Sequence, residues 1–143
     1  MYEAEISRDP NPEYLDPKIR SLVLVLNDMM GLATFSSCEG HENRQPPSQW
    51  PCPMVAIVLD SVVEDCNFIR LVKHIGEHNA LRGEPEHVLW TLTPHRGTFH
   101  GVILKPNDDP VRTLDQQQKG IQRLVLSLQA MEWELRRSQK KTA

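Results

Sequence analysis

The feature that most constrains the fold is an uninterrupted apolar run, Met54-Val55-Ala56-Ile57-Val58-Leu59. A run this short and rich in β-branched residues predicts a strand rather than a helix, and one that is covered on both faces. Such a strand has to lie inside a sheet with other parts of the chain packed against it. The run therefore predicts a domain that contains both strands and helices, with a central strand at residues 54–59.

Three segments carry apolar residues at helical spacing. The first, residues 17–30, follows Asp16 as a predicted cap, has Pro17 at its first position and ends at Gly31. The second runs from the capping box at residues 61–64 to about residue 78, and the third begins at Asp108-Asp109-Pro110. The apolar residues at this spacing are Ile19, Leu22, Val23, Leu26, Met29 and Met30 in the first helix, and Leu114, Ile121, Leu124, Val125, Leu128, Met131 and Leu135 in the third. The second helix is predicted to bury Val62, Cys66, Ile69, Val72 and Ile75.

Three further strands are predicted around the central one. They cover residues 32–37, 88–92 and 98–104, the last two forming a hairpin around Pro94-His95-Arg96-Gly97. The order α-β-β-α-β-β-α predicts a single α+β domain over residues 1–143, with a mixed or antiparallel sheet of about four strands and helices packed on it. Residues 1–15 are expected to form an N-terminal extension and residues 138–143 a frayed basic tail.

Composition excludes several classes of protein. With 39% hydrophobic and 24% charged residues the chain has the balance of a soluble globular domain. It contains no run long enough to cross a bilayer, and its acidic start is unlike a signal peptide. The net charge of −3 disfavours nonspecific nucleic-acid binding. Three cysteines, an odd number, predict reduced thiols and a cytoplasmic location rather than a disulfide framework.

The candidate site is the segment Ser36-Ser37-Cys38-Glu39-Gly40-His41, directly after the first predicted strand. The favoured interpretation is a ligand-binding turn. In it Ser36, Ser37 and the N–H groups around Gly40 donate hydrogen bonds, and Glu39 and His41 recognise a polar group such as a ribose or an amide. Cys38 then packs inward as a small apolar residue.

Three other interpretations of this segment stay open. Cys38 and His41, with Cys52 and with His95 or His100 brought in by the fold, have a spacing suited to zinc. Because no second tight pair of ligands is present, we predict that no metal is required. Cys38 as a nucleophile with a histidine base, and a plain structural turn, complete the set.

Several residues outside the segment are candidates for the same site. Trp50 beside Pro51 suggests an aromatic lid over a planar ligand. His95 and Arg96, at the hairpin tip, suit either phosphate or a solvated turn, and His100 faces either the site or solvent.

Trp90 is expected in the core, whereas Arg70, Lys73 and His74 are expected on a solvated helix face. In the last helix, Leu128, Met131, Trp133 and Leu135 lie beyond what one sheet face needs, which predicts a homodimer or an even-numbered homo-oligomer.

Leu26-Asn27 and the run from Thr34 to His41 resemble the wybutosine-synthesis methyltransferase-like proteins, whose motif is Ser-Ser-Cys-Ser-Gly-Arg. The resemblance covers residues 16–60. It implies an α/β domain, S-adenosylmethionine-dependent modification of a tRNA base, and a pocket at a sheet edge that contains Ser36, Ser37, Cys38 and Gly40. Glu39 replaces a serine of that motif, and His41 replaces an arginine, which removes a fixed positive charge.

The Ser-Cys-Glu-Gly-His turn is also similar to that of small bacterial and phage proteins, and some phage proteins of this size sequester nucleotide second messengers. The function expected from the sequence is therefore binding or sequestration of a small nucleotide-like ligand, without catalysis. The alternatives are a tRNA-base methyltransferase that uses S-adenosylmethionine and a protein–protein interaction module.

Overall fold

A computed structural model describes residues 16–42, 50–59, 62–81, 87–94 and 101–142, without the side chains of 62–64 and 140–142. The helices are α1 (Arg20–Leu24), continued by a π-helical segment (Val25–Met29), α2 (Val62–Ala80) and α3 (Leu114–Thr142). The strands are β1 (Ala33–Cys38), β2 (Met54–Val58), β3 (Trp90–Pro94) and β4 (Gly101–Pro106). The predicted α+β class and the order α-β-β-α-β-β-α are confirmed.

The four strands form one antiparallel sheet in the order β1-β2-β4-β3. β2 lies between β1 and β4, and all five of its residues are buried. This position accounts for the apolar run, because a strand with chain on both faces has no polar side to present. The predicted hairpin pairing of the third and fourth strands is also confirmed, with Leu92 opposite Leu104.

The main core lies between the helices and one face of the sheet. Val55 and Ile57 of β2 and Leu104 of β4 belong to it, as does Trp90, which is 2% exposed, as predicted. The helices contribute Leu22, Val23, Val25, Leu26, Leu71, Ile75, Ile121, Leu124, Val125 and Leu128, and Ile19, Met30 and Leu32 come from the residues that flank α1 and the π-helical segment. Every helix is therefore held to the sheet through this one cluster.

The opposite face of the sheet carries a smaller second cluster. Its buried members are Cys38, Met54, Ala56 and Ile103, with Phe35 and Trp50 packed against them. The register between β1 and β2 shifts between Thr34 and Ser36, so the strand contains one extra residue at that point. Cys38 thus ends β1 with its thiol buried in this cluster.

The start of the first helix differs from the prediction. Residues 17–19 form a turn, and α1 begins at Arg20 with Ile19 as a cap that makes no side-chain hydrogen bond. The Asp16 carboxylate accepts a hydrogen bond from the Glu39 N–H instead, at 3.1 Å. Asp16 therefore caps the turn after β1 rather than the helix. Gly31 ends the helical segment with a φ of 69°, as predicted.

The predicted buried face of the second helix is confirmed at Ile75 and is wrong at Cys66, Ile69 and Val72. Ile69 is 66% exposed, Val72 is 46% exposed, and Cys66 lies at the surface, whereas Val62 is among the side chains outside the description. Among the side chains of α2 that the structure describes, Leu71, His74 and His78 are buried together with Ile75. Two histidines thus occupy core positions because residues on α3 supply hydrogen-bond partners for them.

The last helix begins later than predicted. α3 starts at Leu114, and Thr113 and Gln116 form a reciprocal cap: the Gln116 N–H donates to Thr113 Oγ1 and the Thr113 N–H donates to Gln116 Oε1. Leu128, predicted to lie on an outer surface, is fully buried, whereas Trp133 and Leu135 are exposed.

No helix among the described residues has the length and apolar composition that a bilayer crossing requires.

Candidate ligand-binding site

The turn after β1 is built on Gly40. Its φ is 90°, and a Cβ added there would lie 2.7 Å from Leu114 Cδ1 and 2.9 Å from the Cys52 carbonyl carbon. A side chain is therefore excluded both by backbone conformation and by space. The close packing of Gly40 brings the turn against the start of α3 and the segment that precedes β2.

Main-chain groups hold the turn in place. The His41 N–H donates to the Trp50 carbonyl at 2.8 Å. Gln118 Nε2 donates to the carbonyls of Glu39 at 3.0 Å and Gly40 at 3.3 Å. The Glu39 side chain adds one contact, because its Oε2 accepts from the Lys18 N–H at 2.9 Å. Three separate parts of the chain thus converge on residues 38–41.

A cleft of about 460 Å³ lies between this turn and the first turn of α3. Its lining residues are Lys18, Glu39, Gly40, His41, Glu42, Leu114, Asp115 and Gln118. The volume lies within the range of small-molecule sites, which is about 300–1,000 Å³. The cleft is therefore large enough for a ligand of nucleoside size.

The charges of the cleft are unequal. Glu39, Glu42 and Asp115 supply three carboxylates, whereas Lys18 is the single lysine or arginine of the lining. Lys18 Nζ already donates to Gln118 Oε1 at 3.0 Å, and Asp115 pairs with the exposed Lys119 at 3.0 Å. The cleft thus offers mainly acceptors, which suit hydroxyl and amino groups of a ligand better than phosphate.

The residues predicted for the site do not all meet in this cleft. Glu39, Gly40 and His41 line it, whereas Ser36 is exposed on β1 and Ser37 is half-buried opposite Val55. Neither serine is among the lining residues. Cys38 is buried beneath the turn, where its Sγ accepts from the N–H groups of Gly40 at 3.5 Å and Trp50 at 3.4 Å. His95, Arg96 and His100 lie outside the described residues.

Trp50 and Cys52 have structural surroundings. The Trp50 side chain packs on the second cluster, against Cys38, Met54, Ala56 and Ile103, so it covers the outer sheet face and is not among the residues that line the cleft. Burial raises the pKa of the Cys52 thiol, and Lys105, Asp108 and Cys38 act on it less strongly. A thiol with a raised pKa is a poorer nucleophile at neutral pH.

Several residues of the site do not follow from the sequence. Asp16 is predicted as a helix cap, and the cleft residues Lys18, Glu42, Leu114, Asp115 and Gln118 belong to no predicted motif. Gln118 is 78 positions from Gly40, so their hydrogen bond depends on how α3 crosses the domain. The Asp16-Pro17 pair was a visible signal, but its target lies 23 positions away, at Glu39.

A second polar centre lies between α2 and α3. Glu132 is 4% exposed, and its Oε2 is 2.9 Å from Arg70 Nε and 2.8 Å from His74 Nε2. Arg70 also donates to the Asn67 side chain and to the Met30 carbonyl. The expected solvated face holds for Lys73, which is exposed, and is wrong for Arg70 and His74, because Arg70 pairs with this buried carboxylate and His74 hydrogen-bonds to it. Beside them runs a groove of about 700 Å³.

Comparison of the chain with protein-family models, with curated proteins and with solved structures gives no match. The resemblance of residues 16–60 to the wybutosine-synthesis proteins therefore stays an expectation.

Proposed function

We propose that the protein binds a small nucleoside-like or nucleotide-like ligand in the cleft beside the turn at residues 38–41. The observation that carries this proposal is the lining itself: Glu39, Gly40 and His41 face the first turn of α3 across a space of about 460 Å³. A fixed turn on one wall and a helix on the other preorganise the site, which reduces the entropic cost of binding.

The charge of the lining favours one part of such a ligand. Carboxylates accept hydrogen bonds from ribose hydroxyls and from base amino groups, and they repel phosphate. Among the residues that the structure describes, the side chains of Glu42 and Asp115 form no polar contact beyond the exposed pair of Asp115 with Lys119, which leaves both carboxylates for a ligand in this proposal. The nucleoside end occupies the cleft in this proposal, and any phosphate lies outside it.

A thermal-shift series tests the proposal. Ribonucleosides should raise the melting temperature by several degrees, because a ligand at 100 times its Kd stabilises the folded state by about 2.7 kcal/mol. The 2′,3′-dideoxynucleosides should give a smaller shift if the hydroxyls are recognised. No response to any nucleoside, nucleotide or cyclic dinucleotide would refute the proposal, and a response to S-adenosylmethionine alone would favour the methyltransferase alternative.

Two variants locate the binding site. Glu42→Gln combined with Asp115→Asn should reduce the nucleoside shift while leaving the melting temperature of the unliganded protein unchanged. Asp28→Asn combined with Asp65→Asn is the matched control, since it also removes two exposed carboxylates, neither of which lines the cleft. An equal effect of the control would mean that net charge, and not the cleft, governs binding.

We also propose that two copies pair through α3. Leu126 is 64% exposed and Trp133 is 57% exposed, and their spacing of seven residues places both on one face of the helix. Exposed apolar residues at this spacing are typical of a helix that packs against a partner.

None of the three cysteines forms a disulfide, which supports the proposed cytoplasmic location.

Light scattering at low micromolar concentration tests the pairing. A dimer should have twice the 16.4 kDa mass of the chain, and Trp133→Glu should return it to the monomer. Leu81→Glu is the control, because Leu81 is an exposed apolar residue just beyond the end of α2. A monomeric mass for the unmodified protein would contradict the proposal.

A further inference from the structure

Three potential metal ligands meet beneath the turn. A carboxylate oxygen of Asp16, Sγ of Cys38 and a ring nitrogen of His41 all lie within 4.8 Å of one another. His41 Nε2 is 3.5 Å from Asp16 Oδ2. Asp16 comes from the segment before α1, Cys38 ends β1, and His41 follows the reversal at Gly40, so the fold brings the three together.

The imidazole of His41 has an unsatisfied nitrogen in this cluster. Nε2 is buried and makes no hydrogen bond to the residues that the structure describes, and the contact with Asp16 lacks hydrogen-bond geometry. A buried polar atom without a partner destabilises the folded state, so such an atom calls for an explanation. A metal ion bound at Nε2 supplies one.

The donor set suits a particular class of ion. Carboxylate oxygen, thiolate sulfur and imidazole nitrogen are the ligands of zinc and of related divalent transition metals. In a tetrahedral site with bonds of about 2.0–2.3 Å, the ligand atoms are separated by about 3.5 Å. The observed separations, at most 4.8 Å, exceed this value by at most about 1.3 Å, a difference that side-chain rotations remove.

Neighbouring groups already orient two of the three ligands. Cys38 Sγ accepts from the N–H groups of Gly40 and Trp50, and Asp16 Oδ2 accepts from the Glu39 N–H. Such outer contacts fix ligand atoms in metal sites. The position of the Cys38 sulfur is therefore fixed by main-chain N–H groups, and it does not depend on which side chains the turn carries.

We infer that Asp16, Cys38 and His41 form a binding site for one zinc-class divalent ion, with the fourth coordination position open. Asp16 takes the place that the Cys38-x₂-His41 spacing assigned to Cys52, which does not join the cluster. His41 also lines the cleft, so the ion lies next to the proposed ligand. The site differs from the expectation, drawn from the sequence alone, that no metal is required.

Cobalt substitution tests the site directly. The full chain is stripped with a chelator and titrated with Co²⁺, which gives a thiolate-to-cobalt charge-transfer band and visible bands when it is bound tetrahedrally by sulfur. One equivalent should saturate these bands, and Zn²⁺ should displace the cobalt. A chain that shows no such bands at an excess of Co²⁺ has no thiolate metal site, and the inference is then wrong.

Variants assign the ligands. Cys38→Ser should abolish the charge-transfer band, and Asp16→Asn and His41→Gln should each weaken Co²⁺ binding at least tenfold while circular dichroism stays unchanged. Cys52→Ser is the matched control, because it removes a nearby half-buried thiol. If Cys52→Ser weakens binding and Asp16→Asn does not, the inferred ligand set is wrong. Should Cys38→Ser fail to fold, the comparison of Asp16→Asn with Cys52→Ser still decides the question.

The metal and the organic ligand are separable. Nucleoside shifts measured in excess chelator report the cleft alone, and Co²⁺ bands measured without nucleoside report the metal alone. Either result can fail while the other succeeds.

Discussion

At the scale of single residues, Gly40 determines whether the turn can form. Gly40→Ala places a Cβ at 2.7 Å from Leu114 Cδ1 and 2.9 Å from main chain, at a φ of 90°. We expect a loss of about 1–3 kcal/mol in the free energy of unfolding, measured by urea denaturation.

Gly76→Ala is the matched control for Gly40→Ala. A Cβ at Gly76, within α2, meets no atom within 4 Å, so this variant should gain about 0.5–1 kcal/mol through helix propensity. Equal effects of the two substitutions would contradict the account of the turn.

His78 predicts a pH dependence. Burial lowers the pKa of His78 to about 4, and repulsion by His87 contributes in the same direction. Since the unfolded chain has the ordinary pKa of about 6.5, it binds the proton more readily, and this contribution to stability is lost as pH falls from about 6.5 to 4. The loss amounts to at most about 3 kcal/mol.

Urea midpoints at several pH values between 7 and 4, for the unmodified protein and for His78→Gln, isolate this contribution. Carboxylates titrate in both proteins, so the difference between the two curves belongs to His78. Ser127 Oγ lies 2.6 Å from His78 Nδ1, so the variant will be less stable at neutral pH, and the gap should narrow on acidification. Parallel curves would show that His78 does not titrate as described.

At the scale of helices and strands, the joint between α2 and α3 depends on Glu132. Removing this carboxylate by Glu132→Ala leaves Arg70 and His74 without their shared partner, and we expect a loss of about 3 kcal/mol. Glu134→Ala is the control: Glu134 pairs with Arg137 at the surface, where such pairs contribute about 0–1 kcal/mol. Equal losses in the free energy of unfolding for the two variants, measured by chemical denaturation, would contradict this role of Glu132.

The helices and strands were predictable where local pattern governs them. The run at residues 54–59 identified β2, because burial on both faces leaves an unmistakable apolar sequence. The buried face of α2 was not predictable in this way. His74 and His78 are buried because Glu132 and Ser127 lie opposite, 58 and 49 positions further along the chain. Ile69 and Val72, although apolar, face outward.

The candidate site was predictable to a similar degree. The sequence predicts Glu39, Gly40 and His41 as site residues because polar and ionisable side chains beside a glycine are typical of a ligand-binding turn. The packing of α3 and of the segment before α1 brings Lys18, Asp115 and Gln118 to the cleft. No local sequence pattern predicts that packing. Ser36 and Ser37 were placed in the site by proximity in sequence, but they belong to the strand.

At the scale of the whole molecule, the main core cluster predicts one cooperative unfolding transition. All three helices and the sheet contribute to that cluster, so no part can detach without exposing it. With Trp50→Phe and Trp133→Phe combined, the remaining fluorescence reports Trp90 in the core. Its midpoint in urea should coincide with that of far-ultraviolet circular dichroism, whereas separate midpoints would reveal a subdomain.

At the turn formed by residues 38–41, the groups that stabilise the fold differ from the side chains that a ligand in the cleft would contact. Carbonyl and N–H groups, which every sequence possesses, make most of its contacts with Trp50, Asp16 and Gln118. Glu42 and Asp115 line the same cleft and take no part in the contacts named above. They are thus the positions at which a library of variants can search for new specificities, and an acidic recognition surface can be rewritten as a basic one while the scaffold beneath it is retained.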